Sequence, residues 1–177
     1  MIGPKATYSF LLIILFNVFI ANGQGCQNPL KLKDLEGQWY IQYSNFPMWL
    51  KGDKTSPRFN YTIESDRLLD KVQYIKQGRK KTITGFDTSL DVCNRRFEWR
   101  GKGLLHLLRS RWEIIENHRK EKWALIYFEK TLFTPEGYDV ISKNKELTKD
   151  QLNSIRAKIS QLTLEKELVS IPHFDNP

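Results

Sequence analysis

The fold of this 177-residue chain is decided by residues 37–43, which read Gly-Gln-Trp-Tyr-Ile-Gln-Tyr. Aromatic and β-branched residues favour a β-strand, and a Gly-x-Trp pair opens this one. Trp39, Ile41 and Tyr43 alternate with more polar neighbours. Because side chains two residues apart point to the same side of a strand, the segment predicts a strand with one apolar face.

An export signal precedes this strand. Residues 1–23 start with a basic Lys5, continue with the apolar run Phe10–Ala21 and end in small residues, which is the order of a cleavable signal peptide. The run is shorter than the roughly 20 residues of a membrane span, and an uncleaved anchor is the alternative. We predict a secreted or extracytoplasmic protein (periplasmic or associated with the outer membrane if the source is bacterial) with one domain, residues 24–177.

The chain has two cysteines, Cys26 and Cys93. An exported protein meets an oxidising compartment, so we predict a disulfide between them. Two unpaired thiols, or a reactive Cys93, are the alternatives.

The formal net charge of +8 is spread along the chain, with clusters at residues 79–81 and 95–96. No nucleic-acid-binding motif accompanies it, so we interpret the charge as a solubilising surface and expect no nucleic acid partner. His106, His118 and His173 lie far apart without ligand spacing, so neither a metal site nor a cofactor is predicted.

Short strand-like runs bounded by turn residues dominate the chain. The eight runs are Trp39–Tyr43, Arg58–Glu64, Leu69–Lys76, Lys81–Phe86, Arg96–Arg100, Arg111–Glu116, Lys122–Phe133 and Tyr138–Lys143. Joined by short hairpins, they predict an all-β fold, an eight-stranded antiparallel up-and-down barrel with aromatic side chains inside. The seventh run is apolar on both faces, so its outer face needs a cover.

A helix at residues 148–163 supplies that cover. Thr148 is a good N-cap residue and Gln151 completes a capping box. Apolar side chains then share one stripe, namely Leu152, Ile155, Ile159 and Leu162. We expect this C-terminal helix to pack outside the barrel, followed by a closing strand at residues 168–171.

This order of elements resembles the lipocalin family, and within it the branch of bacterial lipocalins and apolipoprotein D. The resemblance rests on Gly-Gln-Trp-Tyr at 37–40, on Tyr-Asp-Val-Ile-Ser-Lys at 138–143 and on the capped helix. It implies structural roles for Gly37, Trp39 and Lys143, since in that family a basic residue covers the first-strand tryptophan and closes the barrel floor. That residue is usually arginine, and the family's loop motif between strands six and seven is not visible here.

The resemblance implies binding and transport of a small hydrophobic ligand, such as a fatty acid or lysolipid, in the barrel cavity. The candidate ligand-binding residues are aromatic, mid-strand and on the expected inner face: Tyr43, Tyr61, Tyr74, Trp99, Trp112 and Tyr127. The alternative is that these side chains only fill the interior and plug it.

Two further segments carry predictions. Residues 103–111 bear Leu104, Leu105, Leu107 and Leu108 beside arginines, and they either pack on the barrel mouth or touch a membrane peripherally. The sequon at Asn60 predicts glycosylation if the source is eukaryotic.

Two other classes of function compete with ligand transport. One is an isomerase or de-epoxidase on the same barrel, but Cys93 stands beside charged residues and Glu129 is the one carboxylate on the expected inner register. We find no Ser/His/Asp set or Cys/His pair and predict that the protein is not an enzyme. The other is a protein-interaction module, which the apolar loop tips alone support. The sequence leaves the oligomeric state open.

Overall fold

The protein is described by a computed structural model that covers residues 26, 28–132, 134–162 and 167–174. The predicted signal peptide, residues 1–23, lies outside the described residues. The predicted fold is confirmed, because eight antiparallel strands close into a barrel with one C-terminal helix outside it. The described residues contain no helix that is both long and apolar enough to span a membrane.

Each strand of the barrel pairs with the next one along the chain. The strands are β1 Gly37–Ser44, β2 Thr55–Glu64, β3 Arg67–Lys76, β4 Arg79–Ser89, β5 Arg96–Gly101, β6 Arg109–His118, β7 Trp123–Phe128 and β8 Gly137–Ser142. The helices are α1 Leu32–Leu35, α2 Pro47–Leu50 and α3 Lys149–Ile159, with a 3-10 turn at Gly103–Leu105. The first half of β1 pairs with β2 and its second half with β8, which closes the barrel. A short β9, Val169–Ser170, pairs with the end of β1.

The strands differ by one to five residues from their predicted ends, and two of these differences have a clear local cause. β2 begins at Thr55 rather than Arg58, because a bulge with Ser56 at φ 50° extends the pairing with β3. β7 ends at Phe128 rather than at residue 133, because the chain turns there. The Thr131 backbone N–H donates to the Thr134 carbonyl at 2.9 Å, and this local bond replaces the ladder.

The seventh strand is buried on both faces along most of its length. Ala124 and Ile126 face the barrel interior, while Trp123 and Leu125 lie under α3 against Ile155, which is completely buried. The predicted helix therefore covers the strand that needed a cover. Burying one large apolar side chain contributes about 1.5–3 kcal/mol. The packing of Ile155 on Trp123 and Leu125 therefore holds α3 against the outer face of the barrel.

The predicted capping box fixes where α3 begins. The Gln151 backbone N–H donates to Thr148 Oγ1 at 3.2 Å, and the Thr148 N–H donates to Gln151 Oε1 at 2.9 Å. The Gln151 amide also donates to the Glu121 carbonyl just before β7. The cap thus satisfies exposed helix donors and joins α3 to the barrel at the same time.

The predicted disulfide is present at the end of the barrel where β1 begins, which we call the closed end. Cys26 and Cys93 are bonded, with Cα atoms 5.4 Å apart and 67 residues between them in sequence. Beside it, the Leu30 N–H donates to the Cys93 carbonyl at 3.0 Å and Asn94 Nδ2 donates to the Leu30 carbonyl at 2.7 Å. Closing so long a loop stabilises the fold by on the order of 4 kcal/mol.

The closed end has a floor built on Trp39, whose side chain is 3% exposed. Its indole N–H donates to the Leu35 carbonyl at 2.6 Å. Lys143 lies over the ring, with Nζ 4.9 Å from the centroid, and donates to the Glu36 carbonyl at 2.9 Å. Gly37 enters β1 at φ 100°, a conformation that favours glycine. Trp39 and Lys143 are thus in contact at the floor, and their structural roles, with that of Gly37, stay predictions.

We predict that Trp39→Ala lowers the free energy of unfolding by about 3–5 kcal/mol, because it removes a large buried ring and a satisfied donor. Lys143→Arg should be nearly neutral, since a guanidinium also stacks on an indole. Urea unfolding monitored by circular dichroism measures both changes. A near-neutral Trp39→Ala would contradict the role of the floor.

Candidate functional site

A cavity of about 100 Å³ lies inside the barrel, toward the end where β1 leads into α2, which we call the open end. Its lining is mainly aromatic and consists of Phe59, Tyr61, Asp70, Val72, Trp99, Ser110, Trp112 and Phe128. Three of the predicted ligand-binding residues, Tyr61, Trp99 and Trp112, are among them. Val72, Trp99, Ser110 and Phe128 are only half-buried, so solvent reaches part of the lining.

Aromatic packing fills the rest of the interior. Trp112 stacks on Phe97 with ring centroids 4.5 Å apart and on Tyr61 at 6.2 Å, and Tyr61 in turn stacks on Phe59 at 5.8 Å. The alternative of a plugged barrel therefore describes much of the interior. The cavity of about 100 Å³ lies beside this stack.

The loop after β1 covers the open end. Trp49 of α2 is 7% exposed and packs edge-on against Tyr74, with centroids 5.9 Å apart. Phe46 packs in the same way against Phe128 at 5.4 Å. Tyr74 therefore contacts this cover and does not line the cavity.

The predicted inner-face positions of Tyr43 and Tyr127 are wrong. A bulge between Ile41 and Tyr43 in the pairing with β8 turns Tyr43 to the outside, where it packs under α3. Tyr127 points outward with Leu125, and its hydroxyl donates to Glu136 Oε2 at 2.8 Å. A bulge resets the alternation, and a strand that is apolar on both faces does not reveal which face is inner.

Three buried aspartates, which the sequence analysis did not identify, face the interior. Asp70, Asp87 and Asp139 are 4%, 0% and 1% exposed. The Trp112 indole N–H donates to Asp87 Oδ1 at 2.6 Å. One oxygen of each carboxyl has no hydrogen-bond partner among the described residues: Asp70 Oδ1, Asp87 Oδ2 and Asp139 Oδ1. Unpaired buried carboxylates are costly, so these groups favour the protonated form.

Their pKa values follow from this burial. Loss of hydration raises the pKa of Asp87 to about 7, although the Trp112 hydrogen bond opposes the rise. Burial likewise raises the pKa of Asp139 to about 7, against hydrogen bonds from Ser44 and Trp49. The pKa of Asp70 lies well above its usual value, first through burial and then through the nearby Asp87 charge.

A glycine brings Trp99 to Asp70. Gly85 on β4 stands directly opposite Asp70 on β3, and the Trp99 indole lies flat over it. A Cβ at Gly85 would stand 2.3 Å from Trp99 Cε2, so only glycine leaves room. The Trp99 N–H favours the charged form of Asp70, but neither Trp99 Nε1 nor Asp70 Oδ1 completes a hydrogen bond within the described residues. The cavity thus has one polar corner.

The sequence carried a weak signal for this corner. Asp70 stands two residues before Val72 in β3, and Asp139 two residues before Ile141 in β8, so both interrupt an inward apolar stripe. Glu129, the carboxylate that we expected inside, follows the end of β7 and its N–H donates to the Arg111 carbonyl at 2.9 Å. The interior carboxyls therefore lie on other strands than the one we expected.

The remaining candidate residues lie away from the cavity. Cys93 is in the disulfide and has no free thiol. Asn60 lies on the outer face of β2, where its Nδ2 donates to Gln73 Oε1 at 3.0 Å. Within the described part of the chain, no group of three or more His, Cys, Asp or Glu side chains could hold a metal ion.

The four leucines of the segment after β5 differ in their exposure to solvent. Leu105 is half-buried, and its backbone lies so close to Gly101 that a Cβ there would stand 2.3 Å from its carbonyl. Leu108 is also half-buried. In contrast, Leu104 is 100% and Leu107 80% exposed. The segment therefore packs on the barrel and presents two leucines to solvent.

No family model and no curated protein matches this sequence. Among solved structures, insecticyanin from the tobacco hornworm Manduca sexta is similar with a TM-score of 0.67 at 12% identity, covering 84% of this chain and 83% of that one. Lobster apocrustacyanin A1 has a TM-score of 0.61 at 13% identity, covering 81% and 79%. The siderocalin Ex-FABP has a TM-score of 0.56 at 16% identity, covering 80% and 96%. These likenesses establish the lipocalin fold.

We predict that stability conferred by Asp139 is lost as pH rises. Its pKa of about 7 in the folded protein exceeds the ordinary aspartate value of 3.8, so folding binds a proton between about pH 4 and 7. The free energy of unfolding from this group therefore falls with pH, by roughly 1.4 kcal/mol per unit at most.

Asp139→Asn cannot titrate, so its stability relative to the unmodified protein should rise across the same window. Ile141→Val on the same strand is the control, and its difference from the unmodified protein should be independent of pH. Urea unfolding at several pH values measures both, and a flat difference for Asp139→Asn would refute the prediction.

Proposed function

We propose that this protein binds and transports a small hydrophobic ligand in the cavity of the barrel, without catalysis. The observation that carries the proposal is a mostly apolar, aromatic-lined space under a loop cover, inside an otherwise filled barrel. Removing apolar ligand surface from water supplies roughly 25 cal/mol per Å². Tyr61, Trp99 and Trp112 are the proposed contact residues, because they line that space.

The lipocalin fold supports the proposal. The siderocalin Ex-FABP, which shares this fold, functions through dual ligand specificities. We place the chain in the lipocalin family on the first-strand Gly-x-Trp, the basic residue over that tryptophan and the capped helix. The branch of bacterial lipocalins and apolipoprotein D is the proposed subgroup, on the same residues.

Fatty acids and lysolipids are proposed as candidate ligands, but their size requires the cavity to enlarge. A long acyl chain is larger than a cavity of about 100 Å³. Its entry requires Phe46 and Trp49 to move away from the open end. The protein would then bind such lipids only with the loop after β1 displaced.

An enzyme on this barrel is less well supported, since the cysteine considered as a nucleophile is in a disulfide. The interaction-module alternative rests on the exposed loop tips, which the membrane proposal below also explains. The disulfide itself forms in oxidising compartments, which supports the proposed secretion. Glycosylation of Asn60 remains a proposal for a eukaryotic source.

We predict micromolar or tighter binding of at least one member of a panel of fatty acids, lysolipids, retinoids and sterols. Ser110→Leu adds bulk inside the cavity and should weaken that binding by about tenfold or more. Thr62→Leu adds the same bulk on the exposed outer face of β2 and is the matched control. Tryptophan fluorescence and calorimetry measure both, because Trp99 and Trp112 line the cavity. Binding that survives Ser110→Leu unchanged would place the ligand elsewhere.

Peripheral membrane contact at the open end is a second part of the proposal. Leu104 and Leu107 are joined there by Leu132, which is 91% exposed, and Leu50, which is 42% exposed. Exposed basic residues, among them Lys102 and Arg109, lie in the same loops. Leucine tips beside cations fit the surface of an anionic bilayer, from which an apolar ligand can be taken up.

We predict that the protein co-sediments with vesicles containing phosphatidylserine. The double variant Leu104→Ser and Leu107→Ser should reduce the bound fraction several-fold. Val92→Ser is the matched control, since Val92 is 84% exposed at the closed end. Equal losses for both variants, or no binding by the unmodified protein, would contradict the proposed contact.

A further inference from the structure

The polar corner of the cavity is built for a ligand that donates hydrogen bonds. Asp70 is 4% exposed, and its Oδ1 has no partner among the described residues. The other polar groups of the lining are the hydroxyls of Tyr61 and Ser110 and the indole N–H groups of Trp99 and Trp112, the last of which donates to Asp87. No lysine, arginine or histidine belongs to this lining. Asp70 therefore carries the only carboxyl group of this lining, and the lining contains no cationic side chain to balance it.

Neighbouring carboxyls add negative potential to that corner when they ionise. Asp87 is a diagonal neighbour of Asp70 across β3 and β4, at a typical separation of roughly 7–8 Å for such pairs. Its Oδ1 already accepts the Trp112 N–H. Asp139 also faces the interior, from β8. Burial first, and then the charges of the three aspartates, raise the pKa of the Tyr61 hydroxyl well above its usual value. An anionic ligand head would meet this potential unfavourably, whereas a cationic head would neutralise it.

The aromatic lining also suits a cation. Rings of Tyr61, Trp112 and Phe128 surround the space beside Asp70, and ring faces attract ammonium groups within about 6 Å. The amide and imidazole side chains that often hold polar ligands are absent from this lining. A carboxyl group and aromatic faces together are the arrangement that recognises an ammonium ion attached to an apolar body.

We propose that the cavity takes a small primary amine, with its ammonium group on Asp70 and its apolar part among the aromatic rings. This inference rests on the proposed function and narrows its ligand class. A cavity of 150 Å³ holds one benzene ring. A space of about 100 Å³ therefore takes the ammonium end, and the rest of the ligand lies along the half-exposed Trp99 and Phe128.

The charge balance of this binding step is defined. Without ligand, burial keeps Asp70 protonated, because its pKa lies well above its usual value. The ammonium ion enters with one positive charge, and the Asp70 carboxyl releases its proton to solvent. A neutral ammonium–carboxylate pair remains in the barrel. Amine binding should therefore tighten as pH rises and should release up to about one proton per ligand.

Three matched probes test the inference: 2-phenylethylamine, 2-phenylethanol and phenylacetate. At pH 7.5 the amine should bind at least about tenfold more tightly than the alcohol, and phenylacetate should bind most weakly. Calorimetry in buffers of different ionisation enthalpy should show proton release with the amine and none with the alcohol. Asp70→Asn should abolish both the preference and the proton release while binding of 2-phenylethanol persists.

Two further variants keep the result interpretable. Ile141→Val is the control, since Ile141 is equally buried but uncharged and does not line the cavity, and it should keep the preference for the amine. Asp70→Glu retains the acid and should keep part of the preference if Asp70→Asn fails to fold. Binding of the alcohol as tightly as the amine overturns this inference and leaves the proposed function intact. Failure of all three probes and of the hydrophobic panel overturns both.

Discussion

The closure of the barrel through β1 is the constraint on which the rest of the structure depends. One strand pairs with β2 through its first half and with β8 through its second, so no edge of the sheet is left open along the barrel. Closure then fixes which side chains are inside. Eight strands leave an interior only wide enough for side chains or one small ligand. Every inward residue must therefore pack, or find a polar partner, in a very small volume.

Stacked aromatic rings take much of that volume. The three buried aspartates are the exception, because each has a carboxyl oxygen without a hydrogen-bond partner among the described residues. Three acids in a dry interior reduce stability at neutral pH, when their protons begin to leave. A buried carboxyl group is stable only where a hydrogen-bond donor or a cation interacts with it. Trp112 does so for one oxygen of Asp87, at 2.6 Å, whereas Asp70 lines the cavity and its Oδ1 has no hydrogen-bond partner among the described residues. The position of the cavity and the position of the unpaired acid thus coincide, which is why we treat them as one site.

The sequence was sufficient for the fold because local signals agreed with one another. Alternation in β1 and β2, the turn residues and the Thr148 cap all predicted elements that the structure contains. The site was less predictable. The bulge at Tyr43 reversed the alternation, and the apolar character of both faces of β7 concealed the orientation of Tyr127. The importance of Asp70 depends on Gly85 and Trp99, which are distant in sequence and meet only across paired strands. Such cross-strand contacts depend on register, which a single sequence does not specify.

The two ends of the barrel differ mechanically. At the closed end, the disulfide joins the segment before β1 to the β4–β5 loop, and the packing of Trp39 under Lys143 joins β1 to the end of β8. At the open end, the described residues contain no covalent cross-link, and the cover is the four-residue helix α2 with its flanking Phe46. We therefore expect the open end to deform more easily than the closed end. On the proposed function, the contents of the barrel would be exchanged by bending this one loop, while the cross-linked pole would keep the strands in register.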